Sequence, residues 1–415
     1  MHASLRSSEP AKGTTLATSP ARIHLVFTEE VEPSLGRIRL VGPGGRVVTL
    51  ETKGDPRNAS ALVAPVATPL VAGTWRVEWR IVSGDGHPID GDFIFAVAVA
   101  GDGAGTGSTA ATPPPATPTA IDSTPAMTPS AEDTASAMDD VPLLPALHRG
   151  LGVGVLAALT GLLSFLDTRR DRQSQPRAKW LATRLSIATA LLLTIHLVAW
   201  ALSVSPDRSL GGEQMNAILG SRVGQVELTR TVLAVLSCWA LVLARRTRLA
   251  IAFALAALLV GDATGHSAAI HSAWTVPARA LHLLAVATWL GGLLWLLTFE
   301  RTNLDVVVRE AQRVSSLALG GVIVVSITGL VQTKFFIGEW GELVRSTYGA
   351  VALAKVAGLG VLVLFGAHHR FRVMPRLAEA GVADRFSRSL RTEVLVLSLV
   401  ILVGGLLAYI PPPQR

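Results

Sequence analysis

Over the first hundred residues, polar and apolar side chains alternate in short runs. Residues 22–27, 37–41, 74–81 and 92–97 each turn every second side chain, mostly Val, Ile, Leu, Phe or Trp, to one face. That is the period of a half-buried antiparallel strand. Turn-forming residues punctuate the runs: Pro33, Gly42-Pro43-Gly44-Gly45, Gly54-Asp55-Pro56 and Gly84-Asp85-Gly86-His87-Pro88. Several short strands in this length predict an all-β domain over 1–99, a sandwich of Ig-like or Greek-key type. The pattern is then lost. Residues 100–140 are rich in Ala, Thr, Pro, Ser and Gly and hold no aromatic residue, so they predict a flexible linker. About 40 such residues have an r.m.s. reach of roughly 35 Å.

From residue 141 to 415 long apolar stretches take over. They predict an all-α polytopic membrane domain with eight transmembrane helices, near 144–167, 180–203, 225–244, 249–265, 277–299, 314–335, 348–367 and 392–410. The fourth is the shortest. Half of the whole chain is hydrophobic and 16% is charged, which fits a membrane protein better than a soluble enzyme. The lipid bilayer is thus the first expected partner.

Charge sets the orientation. The loops after spans one, three, five and seven hold 17 Lys and Arg residues, those on the opposite side six. By the positive-inside rule both termini and the β domain lie outside a bacterial cytoplasmic (inner) membrane, on the periplasmic or extracellular side. The net charge of +7 resides in the apolar half, because residues 1–99 are neutral and 100–140 are acidic. A nucleic-acid partner is therefore not expected. The first 20 residues hold no apolar run of the kind that directs export, so a removed signal and a mature terminus at His2 are expected. Cys238 is the only cysteine, which excludes intrachain disulfides and thiolate clusters.

The opening His2-Ala3-Ser4-Leu5 with Ser8-Glu9-Pro10-Ala11-Lys12-Gly13, together with residues 79–95 (WRIVSGDGHPIDGDFIF), resembles the CopC copper-binding proteins. The resemblance implies that His2, Asp85 and His87 bind Cu(II). The chemistry agrees: Cu(II) favours tetragonal nitrogen and oxygen donors, and an N-terminal His offers its amine and ring as one chelate. A methionine retained at position 1 would remove that chelate. Residues 30–60 hold no Met, so a methionine Cu(I) site is not expected in this domain. His24 is read as a packed or surface residue.

The apolar half is similar to the CopD family, most clearly at residues 281–293 (LHLLAVATWLGGL), with Arg313-Val314-Ser315, residues 326–330 and residues 348–355 in the same order. CopC–CopD fusion implies copper delivery from outside to a membrane path. Ionisable side chains within spans tend to mark such paths. His196, His266, His271 and His282 are the candidate acceptor ligands, with Asp262 a fifth donor. The ion there is copper, with Cu(I) one candidate state. His148 is weighed evenly between ligand and packing residue, and His368 and His369 are read as interfacial. Arg230 and Lys355 are given structural roles, and Gly291-Gly292, Thr328-Gly329 and Gly358-x-Gly360 are read as places of close helix packing. No enzyme chemistry is read: there is no nucleotide-binding G-x-x-x-x-G-K-[ST] and no Cys-x-x-Cys. The leading expectation is capture of Cu(II) outside and import or delivery, with periplasmic copper chaperones or cuproenzymes as partners. Two other readings stay open: a membrane redox protein with haem on a pair such as His196 and His282 or with copper reduction, and a non-transporting copper store or sensor.

Overall fold

A computed structural model describes residues 4–84, 86–98, 143–167, 175–205, 209–261, 272–299, 304–337, 339–377, 379, 381–407, 409, 410 and 413. Nine strands lie in the N-terminal part: β1 Leu5–Glu9, β2 Thr15–Leu16, β3 Arg22–Phe27, β4 Arg37–Val41, β5 Val47–Leu50, β6 Lys53–Asp55, β7 Asn58–Pro65, β8 Gly73–Val82 and β9 Pro88–Val97. They form two sheets, ordered β1-β3-β7-β6 and β2-β9-β8-β4-β5. All neighbours are antiparallel except the short β2–β9 pair. The alternating residues of β3, β4, β7, β8 and β9 meet between the sheets, where Ile23, Leu25, Ile38, Leu40, Leu62 and Trp75 are fully buried. Period two puts these side chains on one face, so the predicted sandwich is what the alternation builds.

Among the described residues that follow lie helices α1 Leu143–Asp167, α2 Pro176–Val204, α3 Gly212–Gly220, α4 Arg222–Val242, α5 Thr247–Val260, α6 Ser272–Leu297, α7 Leu304–Ile337, α8 Thr347–His368 and α9 Val382–Leu406, with short helical turns at Glu342–Arg345, His369–Val373 and Met374–Arg376. Eight of them occupy the predicted spans. Seven are long and apolar enough to cross a membrane. Helix α5 has 14 residues among those described, about 21 Å at 1.5 Å per residue, and the span predicted there runs on to 265, outside the described residues, so the eighth span is not shown. Helix α3 was not foreseen. It is a nine-residue segment packed against the 33–35 turn of the β domain.

Small residues set the closest helix contacts. A Cβ on Gly291 of α6 would fall on the backbone of Gly161 in α1, and one on Gly161 would fall on the Ala287 carbonyl. Gly405 of α9 meets Gly150 of α1 in the same way, with 2.9 Å between a built Cβ and the Gly150 Cα. Backbone-to-backbone crossings of this type stabilise helices in lipid. The packing role read for Gly291 and Gly292 holds, as does that of Gly358, whose Cβ would fall on the Val400 side chain. Gly329 and Gly360 face open space, so for them that reading is corrected.

Candidate metal centre

The β8–β9 turn carries the predicted Asp-Gly-His segment. Ser83 N donates to the His87 carbonyl at 3.0 Å and Gly86 N to the Ser83 carbonyl at 2.8 Å, closing the turn. Gly86 has φ +92°, a region that side chains with a Cβ rarely adopt. His87 is described; Asp85 and His2 lie outside the described residues. Ser4 and Leu5 reach this end of the sandwich. Leu5 pairs with Phe27 at the end of β3, Thr28 N donates to the Ser4 carbonyl, and a few residues on Gly84 N donates to the Glu30 carbonyl. His24 sits elsewhere on β3, 3.3 Å from Asp55.

This turn does not face solvent alone. The indole N–H of Trp200, at the end of α2, donates to the Gly86 carbonyl at 2.9 Å. A Cβ on Gly86 would lie 3.0 Å from Val223 at the start of α4. The His87 ring meets Tyr409 edge to face, with centroids 4.5 Å apart. Arg80 donates to the Ser203 carbonyl at 2.8 Å. Glu32 accepts from the backbone N–H groups of Arg222 at 3.1 Å and Val223 at 3.4 Å. Those are among the first four N–H groups of a helix, which lack partners within it. Val82, Ala201, Val204 and Ile218 close an apolar contact beside them.

Beneath the turn lies a polar group inside the bundle. The rings of His148 on α1 and His196 on α2 stack with centroids 5.5 Å apart at 14°. His196 Nε2 is 3.9 Å from Glu227 Oε2 on α4, and Arg230 is 3.9 Å from the same oxygen. His148 Nε2 is buried and has no hydrogen-bond partner among the described residues. Helix geometry gives the depth. His196 is one turn before Trp200 and Glu227 one turn after Val223, so both lie about 6 Å below the surface that touches Gly86.

His282 takes a different partner. Its Nδ1 is 3.0 Å from Thr328 Oγ1 on α7. The structure thus joins His196 to His148 and Glu227, and His282 to Thr328, while His266, His271 and Asp262 lie outside the described residues. Among the described residues, no group of three or more His, Cys, Asp and Glu could hold a metal ion. Arg230 stands in a charge pair, as a structural role requires. His369 is buried rather than interfacial, at 4% exposure. Sequence reasoning missed Glu32, Trp200 and Tyr409 because nothing in their local pattern separates them from surface and interfacial residues. Glu227 and Glu393 carried a readable signal, a carboxylate inside an apolar run.

Fold and site together define a multi-pass membrane protein whose β domain presents a histidine turn to a histidine-bearing end of a helical bundle. Residues 5–98 match the family described as the CopC domain, and residues 308–407 the one described as copper resistance protein D. The chain belongs to the CopC–CopD fusion family of copper-resistance and copper-transport proteins. It is 25% identical to the copper transport protein CutJ of Bacillus subtilis (strain 168), over all of this chain and 75% of that one. It is 39% identical to copper resistance protein C of Pseudomonas syringae pv. tomato, over 23% of this chain and 80% of the relative. Copper resistance protein D of the same organism is 30% identical, over 35% of this chain and 52% of the relative.

Proposed function

We propose that this protein captures Cu(II) outside the cytoplasmic membrane through His2, Asp85 and His87 and passes it to histidines of the bundle, for import or delivery. The observation that carries the reading is the seating of the 83–87 turn on Trp200, Val223 and Tyr409. A metal on that turn would sit a single helical turn above His148, His196 and Glu227. His282 is the next station. It precedes the Gly291 crossing by nine residues and His148 precedes Gly161 by 13, and α1 and α6 run parallel, so His282 lies about 6 Å deeper than His148.

Ligand softness supports the direction of transfer. Imidazole suits copper in either oxidation state, whereas a carboxylate is a harder donor. The β-domain set of amine, imidazole and carboxylate therefore suits Cu(II), and the paired imidazoles below suit Cu(I) as well. The excess of basic residues in the loops at the far end supports an outward-facing β domain. An inside-negative membrane potential then favours entry of a cation by roughly 2.3 kcal/mol per charge per 100 mV.

The test is copper uptake into proteoliposomes by the chain starting at His2, alongside His87→Ala, His196→Ala and His282→Ala. Uptake by the parent, with capture lost in the first variant and passage lost in the other two, is the expected result. If the parent takes up no copper while its β domain still binds Cu(II), transport is refuted, and delivery to a partner or copper reduction becomes the function to pursue.

A further inference from the structure

A second polar group lies toward the opposite end of the bundle and has no part in the path above. His369 opens a π-helical turn, His369–Val373, that follows α8. Such turns break the regular helix ladder and recur at functional sites. Its Nδ1 lies 3.1 Å from Glu393 Oε2 on α9, and its Nε2 lies 2.7 Å from Ser389 Oγ. The other carboxylate oxygen accepts from the Trp289 indole N–H at 3.1 Å. Glu393 is 2% exposed and His369 4%. Oε2 has no well-aligned hydrogen bond among the described residues: the imidazole approaches it closely but off the axis that a formed bond needs.

We propose that Glu393 and His369 are a proton-binding site. The geometry holds the pair in two states that differ by one proton. With the proton bound, it sits on Oε2 beside a neutral imidazole whose Nε2–H donates to Ser389, or on Nδ1 as imidazolium against the carboxylate. With the proton released to water, Glu393 is a carboxylate, the remaining imidazole proton is on Nδ1 facing Oε2, and the Ser389 hydroxyl donates to Nε2. Ser389 suits both states because a hydroxyl is donor and acceptor alike. Trp289 donates to the carboxyl throughout. The imidazole in contact is the group with which Oε2 can share a proton. His368, exposed and with its ring centroid 6.1 Å from that of His369, lies on the route to water.

The charges around the pair leave it to itself. Trp289 is what α6 contributes. Arg370 and Arg372 on the π turn and Arg388 and Arg391 on α9 are exposed, and Arg370 donates to Ser315. On α7, Glu310 and Arg313 pair at 3.8 Å, and Asp167 of α1 pairs with Arg248. Among the described residues His369 is the one ion-pair partner of Glu393.

Proton binding stands without the transport reading; its coupling to copper rests on that reading. Infrared titration of the full chain in lipid needs no copper and tests the first. A band of the bound proton, on the carboxyl or on the imidazole, that is present in the parent, lost in Glu393→Gln and altered in His369→Gln is expected. No parent proton band assignable to Glu393 or to His369 while the protein stays folded overturns the site. Proteoliposomes with a pH dye inside test the coupling: the parent moves protons with copper, Glu393→Gln takes up copper without them, and Ser389→Ala, which leaves the pair in place, slows the proton movement. Copper uptake without proton movement in the parent, or equal movement in Glu393→Gln, overturns the coupling. An intact infrared titration with no copper uptake at all overturns transport alone.

Discussion

Glu32→Ala separates the seated β domain from a merely tethered one. The Glu32 carboxylate accepts from Arg222 N and Val223 N, while Ser221, the N-cap of α4, accepts from Gly224 N at 3.0 Å. The two domains thus divide the capping of α4 between them. Truncation to Ala removes one exposed and one partly buried hydrogen bond, at a cost of about 0.5–1.5 kcal/mol each. Part of this is offset, because Glu32 is itself partly buried and burial raises its pKa above the ordinary carboxylate value, further than the two backbone donors lower it. A net loss of about 1 kcal/mol remains, or about fivefold in the ratio of docked to undocked protein. Two more expectations attach to this carboxylate. Arg222 N and Val223 N use different oxygens of Glu32, so Glu32→Gln keeps one acceptor, loses the other and is relieved of the buried charge; it docks less well than the parent and better than Glu32→Ala. A raised docked-state pKa contributes stability that is present below the undocked value and lost as pH rises through the docked value, so mild acidification tightens docking in the parent and not in Glu32→Gln. Spin-label distances between Arg57→Cys and Leu243→Cys in a Cys238→Ala background, in lipid, measure the docked fraction. A docked fraction for Glu32→Ala equal to the parent, or one for Glu32→Gln as low as for Glu32→Ala, refutes the reasoning.

Three further outcomes are expected. Trp200→Phe removes the hydrogen bond to Gly86 and keeps the apolar ring, so docking weakens by about 0.5–1.5 kcal/mol while the Cu(II) affinity of the β domain, measured by competition titration, stays the same. Gly291→Ala places a methyl on the Gly161 backbone and costs about 1–3 kcal/mol as overpacking, read as a lowered melting temperature in detergent; Gly329→Ala, with nothing within 4 Å of its Cβ, leaves it unchanged. Copper leaves the β domain as pH falls through the histidine range, because its imidazole donors must be deprotonated to bind, and a visible-absorbance titration that shows Cu(II) retained well below that range contradicts the His ligands.

Strand positions were legible because alternation is a local signal, and each run predicted from the first hundred residues falls within a strand. Helix positions were legible for the same reason, apolar length being written into the chain. What resisted reading is contact between elements distant in sequence. His196 could be picked out as an intramembrane imidazole, but its neighbours His148 and Glu227 come from other helices, and no spacing along the chain reports them. His369 illustrates the cost of reading a residue by its place near a helix end, since its burial depends on Phe386, Ser389 and Glu393 of the next helix.

The glycine crossing between α1 and α6 has a kinematic consequence. Two helices in backbone contact at Gly161 and Gly291 cannot slide past one another without a clash, so the levels of His148 and His282 are fixed by the scaffold. On the path proposed above, copper would therefore advance between those two rungs by hopping, one ligand exchanged for the next over a stride of about 6 Å, and not by riding on a moving helix.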